Sequence, residues 1–360
     1  MATQERLLRL ARSTAITEWK WIDTLTRQFE LCNASAGQQV VLLTESSTPA
    51  NLVSTARIAL QRTGAPFTLV GVPSPRFQDA SSDCLRNEVV WAALAQADLV
   101  IDCTSYGIDT SLLLDDLLDS NTRVLVIGAR EPNGIERYVA HPGLEERVER
   151  GIALLKGASL VEISDQRGTK LRANLAGAVT HGSWGSVTDE GTSDRWPSGF
   201  CGAVLAADTV DGIFVVMPGD INLSIHEFVH SPVTVAIDDD HISEIEGESG
   251  DADIIRTHLE SLDSVAAYGI SSIDIGMNHS SRRNRSSLYD RGLLTDEEAR
   301  ISAGSVTLTF GSNPVADRTA PGTFSVCLRH SDVAIDGIPI VERGALVGEF
   351  APDVYETAAL

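Results

Sequence analysis

Hydrophobic positions fall into two textures along the chain. In the first 150 residues, short unbroken apolar runs alternate with stretches of helical spacing. The runs at 39–43, 67–70, 98–102 and 123–127 lack polar alternation, as strands buried on both faces do. Between them, 49–62, 87–96 and 112–118 carry apolar residues three or four apart. The stretch 143–156 repeats that pattern with Leu144, Val148, Ile152, Ala153 and Leu155. The opening 35 residues read as amphipathic helix, with Trp19, Ile22, Leu25 and Phe29 on one stripe. Strand and helix in alternation predict an α/β domain built on a parallel sheet.

Near residue 158 the pattern changes. Short alternating runs at 159–163, 170–175, 202–206, 212–217, 233–237 and 242–245 are separated by Gly, Asp and Pro, and 306–310 and 324–328 add two more. One helix is expected over 251–263. Another starts at Thr295-Asp296-Glu297-Glu298, a capping-box-like sequence. This half predicts a mainly antiparallel, β-rich α+β domain. The expected division is 1–150 for the α/β domain and 151–360 for the domain that carries chemistry. Asp238-Asp239-Asp240 fits a solvated hairpin turn, because the spacing of a calcium-binding loop is absent.

Composition narrows the partners. The 360 residues are 43% apolar and 22% charged, ordinary values for a globular protein. A net charge of −22 argues against nucleic acid and anionic membrane surfaces. No apolar run approaches the ~20 residues of a membrane span. Met1-Ala2-Thr3-Gln4-Glu5-Arg6 lacks the basic-then-apolar opening of a signal peptide. The five cysteines (Cys32, Cys84, Cys103, Cys201 and Cys327) are scattered without a CxxC, which suits reduced thiols and a cytoplasmic location. The first strand runs into Thr44-Glu45-Ser46-Ser47, and neither GxGxxG nor a Walker Gly-Lys-Ser/Thr occurs, so nucleotide binding is not expected.

Four histidine-containing stretches could carry chemistry. His226-Glu227-Phe228-Val229-His230 matches the HExxH of zinc proteases, which functions only on a helix. Pro232 ends the stretch and strand-like runs flank it, so it reads as a strand edge or loop. His330 and Asp332 stand two apart after an apolar run. On one strand they would share a face and offer two of the three ligands of a mononuclear iron or zinc site. His279 follows Ile275-Gly276-Met277-Asn278, where a strand runs into a Gly-Asn turn. His181, in Thr180-His181-Gly182-Ser183, reads as part of a Gly-flanked turn. His279 and His181 would each serve equally well as ordinary loop histidines.

From about Gly151 to Leu346 the chain resembles the aminopeptidase T-like metallopeptidases, and more closely their relatives the 2,5-dihydroxypyridine 5,6-dioxygenases. The resemblance rests on Arg167-Gly168-Thr169-Lys170-Leu171-Arg172, Trp196-Pro197-Ser198-Gly199, Ser231-Pro232-Val233-Thr234-Val235, Ile275-Gly276-Met277-Asn278, Gly304-Ser305-Val306-Thr307-Leu308 and His330-Ser331-Asp332. The peptidases hold two metal ions with two Glu, two His, a Tyr and an Asp. At three of those places this chain has Phe200, Ser272 and Thr307. A second ion would face apolar and hydroxyl groups there, which argues against peptide hydrolysis by paired metals.

The dioxygenase resemblance implies one Fe(II) held by His279, His330 and Asp332. It implies a small hydroxylated N-heterocycle and O2 as substrates, and a homo-oligomer. A base is needed for the ring hydroxyl, with His181 as the candidate and Tyr106 behind it. Arg282 and Arg283 could hold an anionic substrate, or could simply form a solvated basic loop. Two alternatives stay open: an aminopeptidase-like hydrolase with a reduced, single-metal site, and a non-catalytic relative.

Overall fold

The unbroken apolar runs pair as neighbours in one parallel sheet of the computed structural model, which describes residues 17–74, 85–111, 113–130, 132–138, 141–281 and 296–352. Strands β1 (Val40–Glu45), β2 (Phe67–Val72), β3 (Leu99–Asp102) and β4 (Arg123–Ile127) are joined by a fifth, β8 (Ser193–Trp196), in the order β2-β1-β3-β4-β8. Every pairing in this sheet is parallel. Helices α1 (Trp19–Leu31), α2 (Ala50–Thr63), α3 (Glu88–Ala95), α4 (Leu114–Leu118) and α5 (Pro132–Arg137) accompany it. Val41, Leu43, Val100, Val124 and Val126 form one buried layer with Leu94, Ile108 and Leu117. Every residue of β1, β3 and β4 is buried, which is why these runs show no alternation.

The second unit contains two sheets. Strands β5 (Leu160–Ser164), β6 (Lys170–Asn174), β10 (Val210–Val216), β13 (Val233–Asp238), β14 (His241–Glu246), β18 (Asp332–Ile335), β19 (Ile338–Glu342) and β20 (Ala345–Leu346) form an eight-stranded sheet. The seven-stranded sheet runs β12-β11-β17-β16-β15-β9-β7. It is built from β7 (Val179–Ser183), β9 (Phe200–Val204), β11 (Ile221–Asn222), β12 (Glu227–Phe228), β15 (Ile270–Gly276), β16 (Val306–Phe310) and β17 (Phe324–Leu328). Pairing in both is antiparallel. Phe214 of the first sheet stacks on Phe310 of the second, with centroids 5.9 Å apart, and Phe310 meets Phe324 at 5.6 Å. Helices α6 (Gly143–Gly157), α7 (Gly250–Ser261) and α8 (Asp296–Ile301) complete the unit. No described helix is long and apolar enough to cross a membrane.

The division differs from two contiguous blocks at residue 150. Unit 1 comprises 1–142 and 184–197, and unit 2 comprises 143–183 and 198–360. The expected boundary falls inside α6, which packs on β7 and β9 of unit 2. Segment 184–197 returns to unit 1 because Ser193–Trp196 is hydrogen-bonded to β4. A four-residue strand whose first residues are Ser, Asp and Arg has no apolar run to announce it.

Candidate active site at one end of the seven-stranded sheet

Antiparallel register brings separate stretches of sequence to one sheet end. Phe200 pairs with both Ser183 and Gly276, and one row back Ile275, Val306 and Leu328 stand side by side. The loops that follow β7, β15 and β17, and those that precede β9 and β16, therefore meet at the same edge.

The next row inward, on the other face, holds a histidine and a buried carboxylate. His181, Gly202, Asp274, Thr307 and Cys327 are successive cross-strand partners on β7, β9, β15, β16 and β17. Side chains paired across a sheet share a face. His181 Nε2 lies 2.8 Å from Asp274 Oδ1, although β9 runs between their strands. The intervening residue permits this contact. A Cβ on Gly202 would stand 2.2 Å from Asp274 Oδ1 and 2.5 Å from the Ile273 carbonyl oxygen. Asp274 is 1% exposed, and its second oxygen, Oδ2, accepts no hydrogen bond. Arg300 of α8 stands beside it, with Nη1 3.7 Å from Oδ2 and its guanidinium 5.7 Å from the centre of the Phe200 ring. The same ring meets His181 edge-on at 5.9 Å. Phe200 thus packs against a histidine–carboxylate pair.

The row beyond Asp274 is inert. Thr307 is fully buried, with its hydroxyl facing the Cys327 thiol, a weak partner. Burial pushes the Cys327 thiol up to about 11, so it is not a thiolate at neutral pH. Cys103 and Cys201 are also raised by burial, and none of the four described cysteines forms a disulfide.

Two expectations about local structure are corrected, and one is borne out. His181 lies on strand β7 rather than in a turn; the Gly that follows it is required by packing, since a Cβ on Gly182 would fall within 3 Å of Val148 and Ile152. His330 and Asp332 do not share a strand. β17 ends at Leu328, the chain bends through 329–331, and β18 starts at Asp332. Arg329 is held at that bend, because its N–H and its guanidinium both bind the Asp220–Gly219 turn. The HExxH stretch is a two-residue edge strand, with His226 at φ 57°, as its flanking residues suggested.

The proposed metal ligands reach one neighbourhood from different strands. Gly304 donates to the Gly276 carbonyl, a Cβ on Gly304 would meet Gly344 at 2.4 Å, and Gly344 donates to the Ser331 carbonyl. That chain of close backbones links the end of β15, where His279 follows, to the bend holding His330 and Asp332. His279 Nε2 lies 3.1 Å from the Phe350 carbonyl, and Asp332 Oδ1 accepts from the Arg343 N–H at 2.5 Å. His330 is exposed. Two imidazoles and one carboxylate are the donor types that suit a mononuclear Fe(II), so the set fits such an ion chemically. Their ligand atoms are not closed around a point. Among the described residues, only the exposed Asp211, Asp238 and Asp239 bring three such atoms within 4.8 Å of one another. Tyr106 belongs to unit 1, on the turn after β3. Arg282 and Arg283 lie outside the described residues. Asp274 and Arg300 escaped the sequence reading, because Asp274 sits among Ile273, Ile275 and the serines of an ordinary strand pattern.

The fold recurs in solved structures of other proteins. Aminopeptidase T from Thermus thermophilus superposes with a TM-score of 0.54 at 13% identity, over 91% of this chain and 99% of that one. A structure described as 2,5-dihydroxypyridine dioxygenase from Pseudomonas putida KT2440 superposes with a TM-score of 0.82 at 24% identity, over 92% and 98%. In sequence, the 2,5-dihydroxypyridine 5,6-dioxygenase of that Pseudomonas putida strain is 26% identical over 344 residues, 90% of this chain and 96% of the relative. The family model for 2,5-dihydroxypyridine 5,6-dioxygenase matches residues 20–348. The chain belongs to the 2,5-dihydroxypyridine 5,6-dioxygenase family, and so to the oxidoreductases.

Proposed function

We propose that the protein opens the ring of 2,5-dihydroxypyridine, inserting both atoms of O2 at the C5–C6 bond to give N-formylmaleamate. The observation that carries this reading is the family match over residues 20–348. The loss of peptidase metal-binding residues at Phe200, Ser272 and Thr307 supports it over a two-metal hydrolase. His279, His330 and Asp332 would hold a single Fe(II). Bound there, Fe(II) supplies adjacent open positions at which the ring and O2 are brought together.

The protein's own part is to orient and to move a proton. His181 serves as the base for the ring hydroxyl, since an anionic ring gives up electrons to O2 more readily. Phe200 presents an apolar edge beside it, and Arg300 places a cation near the carboxylate behind it. The enzyme is read as a cytoplasmic homo-oligomer that takes a small N-heterocycle.

The test is anaerobic reconstitution with Fe(II), followed by O2 uptake with 2,5-dihydroxypyridine. Stoichiometric uptake is expected, and its loss in His279→Ala, His330→Ala and Asp332→Ala. Full activity in the His279→Ala variant would overturn the ligand set. Zinc-dependent activity without O2 would favour a single-metal hydrolase.

A further inference from the structure

The molecule has four buried aspartates among its described residues, and three of them do one job. Asp102 accepts from the N–H groups of Thr104 and Ile108. Asp220 accepts from those of Met217 and Arg329. Asp240 accepts from those of Asp208, Thr209 and Val210. Each fastens a turn by satisfying backbone donors that would otherwise be stranded. Asp274 holds no backbone N–H. Its one hydrogen bond goes to an imidazole, and its other oxygen is left open at 1% exposure. A carboxylate buried at that desolvation cost, with no turn to fasten, has its purpose in the histidine.

We propose that Asp274 is a positioning residue that fixes His181 as the Nε2–H tautomer, so that the proton of the substrate's ring hydroxyl is taken up at Nδ1. This inference rests on the reading of His181 as the base. An ionised carboxylate only accepts hydrogen bonds, so the nitrogen facing it carries the hydrogen, and a neutral imidazole then has its lone pair on the other nitrogen. Nδ1 makes no hydrogen bond among the described residues, and 34% of the His181 side chain is open. In the step the substrate O–H bond breaks and Nδ1–H forms. The imidazolium that results is countered by Asp274.

Among the described residues, Asp274 from β15 faces the His181 ring and Arg300 from α8 faces Asp274. β9 contributes only Phe200 and Gly202. Helix α6 packs on the opposite face, against Gly182 and Cys201. Arg300 sits against Oδ2 rather than against the ring, which leaves the bond to Nε2 in place.

The test reads the tautomer directly. In the full chain with ¹⁵N-labelled histidine and paramagnetic metal removed, His181 is assigned from the His181→Gln spectrum. It is expected to show a protonated Nε2 and an unprotonated Nδ1 when neutral. Asp274→Asn is expected to turn this into a mixture, to lower kcat by about 100-fold with KM changed less than threefold, and to move the acid limb of the kcat/KM profile to lower pH. Wild-type His181 found with the proton on Nδ1 would overturn the proposal, as would unchanged kcat and pH profile in folded Asp274→Asn. If Asp274→Asn does not fold, the wild-type spectrum still decides the tautomer. A chain that shows the Nε2–H tautomer yet no O2 uptake would sink the dioxygenase reading while leaving the pair intact.

Discussion

Asp102 of unit 1 and Asp274 of unit 2 are both buried near the C-terminal end of a strand, yet they spend their charge differently. Asp102 ends β3 and draws the N–H groups of Thr104 and Ile108 onto its two oxygens, closing the turn that carries Tyr106. Burial raises its pKa, and those two N–H groups pull it back down. Asp274 has an imidazole on one oxygen and, on the other, the Arg300 guanidinium at 3.7 Å as an ion pair without a hydrogen bond. A saturated buried carboxylate secures the backbone. One that holds no backbone N–H is free to bind a side chain, as Asp274 binds His181.

Substitutions can break that contrast. The largest effect is expected from His181→Ala, which should lower kcat/KM by about 10²–10⁴-fold, the usual worth of a general base, and also lower the melting temperature, because the buried Asp274 carboxylate loses its hydrogen bond to the ring. O2-uptake kinetics and a thermal melt on the same sample decide it; wild-type turnover would remove His181 from the mechanism. Asp102→Ala should act the other way round. Two buried N–H groups lose their acceptors, at about 1–3 kcal/mol each, so chemical denaturation should show about 4 kcal/mol lost.

Asp220 extends the contrast to pH. Burial pushes its carboxyl up to about 6, against the pull of two N–H groups and Arg329. The folded state therefore holds its proton more tightly than the unfolded chain. Its cost to stability is absent below pH ~4, grows as pH rises to about 6, and reaches on the order of 3 kcal/mol above that. Denaturation midpoints of wild type and Asp220→Asn across pH 4–7 should diverge with that slope, and parallel curves would refute it. The smallest effect is expected at Thr307. Its buried hydroxyl meets only the weakly bonding Cys327 thiol among the described residues, so Thr307→Val should stabilise by about 1 kcal/mol or less. A loss of 2 kcal/mol or more would mean the hydroxyl is satisfied in solution.

Legibility followed the physical origin of each feature. The strands of the parallel sheet were visible because both faces are buried, which leaves unbroken apolar runs such as Val124 to Ile127. The helix over Gly143–Gly157 was visible for its periodic stripe. β7 and β8 were hidden, because His181, Gly182, Ser183, Asp194 and Arg195 are polar or small and owe their strand conformation to neighbours far along the chain. Spacing also misled. His330 and Asp332 are two apart, yet Arg329 is tied to Gly219 and Asp220, and that tie turns the chain between them.

The sequence by itself determined the two fold textures, the absence of nucleotide-binding glycines, and which His and Asp residues the chain has to offer. Those depend on local periodicity and residue type, which a single stretch contains. Only the tertiary structure decided which residues share the active face. The pairing of His181 with Asp274 spans 93 positions, depends on the missing Cβ of Gly202 between them, and is fixed by strand register. Register depends on pairing between distant strands, and no local pattern records it.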